Sequence, residues 1–158
     1  MTKDSQPFAR HIRLPDMAAT ETLGSRIAEG LETGDAIALE GDLGAGKTTL
    51  ARAILRALGV SEDVPSPTFT LVQIYETPRL MVRHYDLYRI ENPAEMDELG
   101  LDDALAEGAA LIEWPDRATG RLPHDMLRVA LSIGKEGRNA QLTGPAKWAR
   151  HFEDTHVT

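Results

Sequence analysis

The sequence predicts one α/β domain in which a mixed parallel and antiparallel central sheet is flanked by helices. Its 158 residues are enough for one domain with a proper core, and two full domains would be cramped. A short apolar run over 36–39 leads through a glycine-rich loop into a helix with an apolar stripe, which is typical of a parallel strand and its following helix. Two later pairs of strand-like runs, each joined by a short turn, indicate antiparallel hairpins.

The elements before the glycine-rich loop are an arm, a helix and a strand. Residues 1–10 are polar and lack the apolar core of a signal peptide, so we expect a flexible N-terminal arm. Asp16 can cap a helix that extends to about Glu29, because apolar residues at a spacing of four would form its buried stripe. A turn over 33–35 then leads into the strand over 36–39.

Residues 41–48 match the phosphate-binding P-loop pattern G-x-x-x-x-G-K-[ST] at every fixed position. The glycines let the backbone turn tightly and bring its N–H groups close to a phosphate chain. Lys47 supplies a positive charge to the β- and γ-phosphates, and Thr48 offers a hydroxyl to the Mg²⁺ that bridges them. The helix over 49–58 adds its dipole at the same place. The expected nucleotide contacts in this P-loop NTPase domain are Gly41, Leu43, Gly44, Ala45, Gly46, Lys47, Thr48 and Thr49.

The remaining sequence predicts further strands and short helices in the same domain, which spans 11–144, and a C-terminal helix or tail over 145–158. The predicted elements are strands over 68–75 and 80–85, helices over 92–99 and 101–107, strands over 109–114, 127–133 and 138–143, and a helix over 145–152.

Two acidic residues follow predicted strands and are candidates for the metal site. Glu113 would emerge at the carboxyl edge of the sheet, where ligands bind in such folds, and could hold Mg²⁺ directly or through water; alternatively it is a surface glutamate. Asp86 could bind metal-bound water or orient the attacking water; alternatively it caps the next turn. We interpret the nearby His84 as a packed or hydrogen-bonded side chain rather than a catalytic base.

Two further residues could contact the nucleotide. Thr68, in a loop with two prolines, has a hydroxyl suited to sensing the γ-phosphate, although a rigid loop with a strand-starting threonine explains it equally well. Arg138 follows the second hairpin turn and could reach a base or a phosphate; alone it would be an ordinary surface arginine.

The composition reduces the number of function classes that fit the chain. The net charge of −8 argues against a large direct nucleic-acid footprint, which normally shows as a basic patch. The absence of cysteine excludes disulfides, thiolate metal sites and a cysteine nucleophile, and suits a reducing cytoplasm. No stretch approaches the length needed to span a bilayer, so we expect no membrane association.

Four short stretches, in this order and spacing, resemble the TsaE family, also called YjeE, of small bacterial P-loop ATPases in the tRNA threonylcarbamoyladenosine pathway. The resemblance runs from about Ile12 to Arg138. The P-loop alone would be generic, but the four together are specific. They are GDLGAGKTT at 41–49, SPTFTLV at 66–72, HYDLYR at 84–89 and IEWP at 112–115.

The resemblance implies a cytoplasmic ATPase that uses ATP and Mg²⁺ and acts with two partners, TsaB and TsaD. Those partners modify adenosine 37 of tRNA, the ATP cycle resets their complex between turnovers, and this chain reaches tRNA only indirectly through them. By the same resemblance, Thr48 and Glu113 look like Mg²⁺ ligands, Asp86 like a catalytic or metal-shell carboxylate and Thr68 like a switch-type residue, while Arg138 looks like a nucleotide contact and Met17 would lie near the base. Together with Lys47, whose charge would stabilise the transition state, Asp86 and Thr68 are the expected catalytic residues.

Two other functions remain as alternatives. A small P-loop kinase for a metabolite or nucleoside would need an arginine-bearing lid, for which Arg117 and Arg121 are the nearest candidates. A nucleotide-dependent binding switch would capture a partner without significant catalysis.

Overall fold

A mixed seven-stranded sheet forms the centre of the computed structural model, which describes residues 7–42, 44–62, 64 and 71–153. No helix in these ranges is long and apolar enough to cross a membrane. The elements are β1 (Phe8–Leu14), α1 (Met17–Gly30), β2 (Ala36–Glu40), α2 (Lys47–Ala57), β3 (Val72–Glu76), β4 (Met81–Asp86), a 3₁₀ helix (Pro93–Glu98), α3 (Leu101–Glu107), β5 (Gly108–Glu113), a 3₁₀ helix (Pro115–Ala118), β6 (Leu127–Gly134), β7 (Gly137–Gly144) and a C-terminal 3₁₀ helix (Ala146–His151).

The sheet has the order β1-β7-β6-β2-β5-β4-β3, and its centre is parallel. β2 pairs in parallel with both β5 and β6, and β5 also pairs in parallel with β4. The flanking pairs β3–β4, β6–β7 and β1–β7 are antiparallel. The predicted mixed sheet and both predicted hairpins are therefore confirmed. The carboxyl ends of β2, β4 and β5 meet at one edge of the sheet.

The core lies on both faces of the sheet. On one face, apolar residues of α1 and α2 pack against the sheet. Gly24 lets these two helices approach closely, because a Cβ built there would lie 2.6 Å from the Cβ of Ala53. On the other face, residues of β4, β5 and α3 form a second cluster that includes Tyr85, Ile112 and Leu101. All six residues of β5 are buried, as expected for a central parallel strand.

The N-terminal strand corrects the prediction of a flexible arm over residues 1–10. β1 begins at Phe8, so the last three residues assigned to the arm belong to the sheet, and residues 1–6 lie outside the described ranges. All seven residues of β1 pair with β7. The strand is at the edge of the sheet, where charged side chains such as Arg10 and Arg13 are tolerated, and this polarity is why its sequence resembles an arm.

The predicted C-terminal helix is present as the 3₁₀ helix Ala146–His151, and it packs into the core. Trp148 and Phe152 are buried in the cluster formed with α1 and α2, and the rings of Phe152 and Phe8 lie 5.4 Å apart between centroids. A Cβ at Gly30 would lie 2.7 Å from the Trp148 ring, so the helix fits closely against the end of α1.

We predict that Trp148→Ala lowers the free energy of unfolding by about 3–5 kcal/mol, because it leaves a cavity where a large ring was buried. Denaturant unfolding followed by circular dichroism measures the change. Arg150→Ala, at an exposed position of the same helix, is the control and should shift stability little. Equal stability of the two variants would contradict the packing role of this helix.

Candidate nucleotide and metal site

The glycine-rich loop joins β2 to α2 and has a backbone that side chains would obstruct. Gly41, Gly44 and Gly46 have φ angles of 140°, 83° and 106°, in the region that favours glycine. A Cβ at Gly41 would also lie 2.5 Å from the carbonyl oxygen of Leu131. The loop therefore needs these glycines to turn at the N-terminus of α2. Leu43, a predicted contact, lies outside the described residues.

Lys47 is the first residue of α2 and places its ammonium inside the loop. Its Nζ donates hydrogen bonds to the carbonyl oxygens of Gly41 at 2.5 Å and Asp42 at 3.0 Å. The same nitrogen lies 4.1 Å from the centroid of the Trp114 ring. Burial lowers the pKa of Lys47, while the negative charges of Glu113, Asp86 and Asp42 act in the opposite direction. A buried cation at a helix N-terminus is suited to receiving an anion.

Thr48 and Glu113 join the start of α2 to the end of β5. Thr48 Oγ1 donates to both carboxylate oxygens of Glu113, at 2.9 Å to Oε1 and 3.0 Å to Oε2. A hydroxyl and a carboxylate are the oxygen ligands that Mg²⁺ prefers, so the donor set fits this cation. The described residues contain no group of three or more histidine, aspartate or glutamate side chains arranged to hold a metal. A cation here would therefore take its other ligands from phosphate or water, as Mg²⁺ commonly does.

Asp86 ends β4 directly beside Glu113. The two residues are partners in the parallel pairing of β4 with β5, and both are buried. Asp86 Oδ1 also accepts a hydrogen bond of 3.1 Å from the backbone N–H of Tyr88. The carboxylate therefore caps the following turn and also lines the cleft at the P-loop, and its role in placing water stays a prediction.

His84 is a hydrogen-bonded, packed residue, as the sequence indicated. Its side chain is wholly buried, and its Nε2 lies 2.6 Å from Oε2 of Glu113. His84 and Asp86 are two positions apart on β4, so their side chains lie on the same face of the sheet. Glu113 is the register partner of Asp86, and its side chain lies on that face as well.

A cleft of about 480 Å³ opens between the P-loop and the ends of β4 and β5. It brings together most of the predicted site and adds Tyr88 and Arg89, which sequence reasoning had not assigned a role. The sequence feature that could have indicated these two residues is their position two and three residues after Asp86, in the H-x-D-L-Y-R stretch. The residues lining the cleft are Gly44, Gly46, Lys47, Thr48, Thr49, Asp86, Tyr88, Arg89, Glu113, Trp114 and Arg138.

Arg138 borders both the cleft and a smaller cavity beside the loop, and Met17 borders that smaller cavity. Arg138 Nη2 donates a 3.1 Å hydrogen bond to the carbonyl oxygen of Gly44. Met17 is exposed at the start of α1 and lines a smaller cavity of about 180 Å³ that also includes Gly46, Thr49 and Arg138. Both predicted contacts are therefore near the P-loop. Thr68 lies outside the described residues, and its role stays a prediction.

Comparisons with known proteins point to one family. A family model described as "Threonylcarbamoyl adenosine biosynthesis protein TsaE" matches residues 14–141. Proteins named "tRNA threonylcarbamoyladenosine biosynthesis protein TsaE" include one from Nostoc sp., 41% identical over 138 residues and covering 84% of each chain. Another, from Rickettsia prowazekii, is 40% identical over 115 residues, which is 72% of this chain and 80% of the relative. The crystal structure of Bacillus subtilis YdiB matches with a TM-score of 0.74 at 28% identity, covering 94% of this chain and 93% of that chain.

We predict that Lys47 titrates below the ordinary lysine value of 10.5, because burial disfavours its charged form. Glu113→Gln should lower the pKa of Lys47 further, since it removes the negative charge that contributes most to raising it. Titration followed by ¹³Cε NMR can resolve this residue, because the chain has only four lysines. Glu98→Gln, at an exposed position, should leave the midpoint of Lys47 unchanged. A midpoint that rises in Glu113→Gln would contradict the arrangement.

Proposed function

The chain belongs to the TsaE family of tRNA threonylcarbamoyladenosine biosynthesis proteins, and on that premise we propose that it hydrolyses ATP to reset the TsaB–TsaD complex between turnovers. The observation that carries the proposal is the contact of Thr48 Oγ1 with both oxygens of Glu113. These residues are far apart in the chain, and they meet where a P-loop protein needs its metal ligands.

The reaction would be attack of water on the γ-phosphate of ATP. The loop N–H groups and the ammonium of Lys47 would stabilise the charge that develops on the phosphate oxygens. Thr48 and Glu113 would hold Mg²⁺, which supplies positive charge to the same oxygens when bound. Asp86 lines the cleft beside Glu113 and would orient the attacking water. Thr68 would sense the γ-phosphate.

The acidic charge of the chain supports an indirect route to tRNA. A net charge of −8 disfavours a broad contact with the phosphate backbone. TsaB and TsaD would therefore make the contact with tRNA, in the cytoplasm, and this chain would act on them.

The kinase alternative has one observation in its favour. Arg117 lies over the ring of Tyr88, 5.4 Å from its centroid, and Tyr88 lines the cleft. Arg121 is instead paired with Asp97 at 3.3 Å. Radioactive γ-phosphate distinguishes the functions, because a kinase transfers it to an acceptor, an ATPase releases it as phosphate, and a pure binding switch does neither.

We predict that Lys47→Ala lowers ATP turnover in the complex with TsaB and TsaD by on the order of 10²-fold, because a charge that stabilises the transition state is lost. Glu113→Gln keeps the side-chain shape but removes the carboxylate, and should lower turnover by about 10–100-fold. Phosphate release measured over a range of Mg²⁺ concentrations checks both. Exposed Glu98→Gln is the matched control and should behave as wild type.

Unchanged phosphate release in both Lys47→Ala and Glu113→Gln would refute the proposed ATPase. Normal tRNA modification by a complex in which hydrolysis is blocked would instead favour the binding switch.

We predict that Asp86→Asn impairs hydrolysis of ATP but not its binding. If Asp86 orients water, this variant should lower the rate of hydrolysis by roughly 10²-fold, while ATP binds about as well as to wild type. Equilibrium binding of labelled ATP and single-turnover hydrolysis measure the two quantities separately. Loss of binding with an unchanged single-turnover rate would contradict the role given to Asp86.

A further inference from the structure

His84 is a buried polar side chain that the proposed hydrolysis scheme leaves without a role. Its exposed fraction is 0%, and that of Glu113, whose Oε2 it contacts at 2.6 Å, is 2%. Burying a polar group without a hydrogen bond destabilises the fold, and the contact gives each of these two buried side chains a hydrogen-bond partner.

The two nitrogens of the His84 ring have different surroundings. Nε2 faces Glu113, whereas Nδ1 has no hydrogen-bond partner in the part of the chain that the structure describes. Within the described residues, the ring therefore makes its side-chain hydrogen bond through Nε2, to Oε2 of Glu113.

The backbone determines this contact before any ligand binds. In the parallel pairing of β4 with β5, His84 is opposite Leu111 and Asp86 is opposite Glu113. Residues two apart on a strand share a face, so His84 is a diagonal neighbour of Glu113 on that face. The contact between His84 and Glu113 therefore follows from the pairing of β4 with β5.

We propose that His84 is a positioning residue for the metal site, holding Oε2 of Glu113 so that Oε1 and the hydroxyl of Thr48 face the cation together. The inference rests on the proposed function, because it concerns how this chain presents its Mg²⁺ ligands. His84 is buried and is not among the residues that line the cleft, so it would act through Glu113. Thr48 also contacts Glu113, but its oxygen is an expected metal ligand and cannot serve as independent support for the carboxylate.

The first test measures Mn²⁺ binding by electron paramagnetic resonance, in the presence of a non-hydrolysable ATP analogue. His84→Leu keeps apolar bulk but removes the donor, and should weaken Mn²⁺ binding by about 10–100-fold. Affinity for the analogue in the presence of a chelator should not change. His84→Gln can donate from a similar place and should restore Mn²⁺ affinity to within roughly threefold of wild type.

Tyr85→Phe is the matched control, because it removes one hydrogen bond from the neighbouring residue of β4, on the opposite face of the sheet. It should reduce stability without changing Mn²⁺ affinity. Equal Mn²⁺ affinity in wild type and His84→Leu would overturn the positioning role of His84 and leave the proposed function unaffected. A wild-type protein that takes up no Mn²⁺ with the analogue would overturn the proposed function.

A second test needs no variant and no metal. Imidazole ¹⁵N NMR of the wild-type protein, which has five histidines, should show that the ring of His84 carries a proton on Nε2, the nitrogen that faces Glu113. A ring that carries no proton on Nε2 cannot donate to the carboxylate and overturns the inference, even if His84→Leu fails to fold.

Discussion

The buried carboxylate of Glu113 is the constraint on which the site depends. A charge removed from water destabilises a fold unless other groups compensate it, and a buried ion pair rarely repays its desolvation. Here the compensation comes from the hydroxyl of Thr48, the ring of His84 and the nearby positive charge of Lys47. Because such compensation rarely exceeds the desolvation of a carboxylate, we expect the cluster to add little to the free energy of unfolding, as is common where residues are retained for function.

The strand order explains how these groups come together. β5 lies between β2 and β4, so the strand that carries Glu113 is flanked by the strand that leads into the P-loop and by the strand that carries His84 and Asp86. Parallel pairing brings all three carboxyl ends to one edge, which is where ligands bind in open α/β sheets. Arg138, at the start of β7, donates a hydrogen bond to the loop at Gly44 and also lines the cleft.

Residues whose position follows from local spacing were predictable from the sequence. The P-loop needs a fixed set of residue types, and Glu113 and Asp86 follow apolar or strand-like runs that place them at the sheet edge. The contact between His84 and Glu113 was not predictable, because it depends on the register of two strands separated by helices. β1 was missed for a related reason: its partner, β7, lies at the other end of the chain, and its edge position permits a polar sequence. The cleft residues Tyr88 and Arg89 lie within a short stretch, but no general chemical pattern marks them.

The contact between the rings of Phe8 and Phe152 has a practical consequence for labelling and re-engineering the molecule. β7 starts beside the P-loop and ends at Gly144, which pairs with Phe8, so both rings lie at the edge of the sheet remote from the cleft. The backbone enters the sheet at Phe8 and leaves the core at Phe152, after the C-terminal 3₁₀ helix, so these two points lie close together. We expect that a tether or fluorophore attached near either ring would leave the cleft at the opposite end of the strands open to solution, and that a short linker could join these two points of the chain.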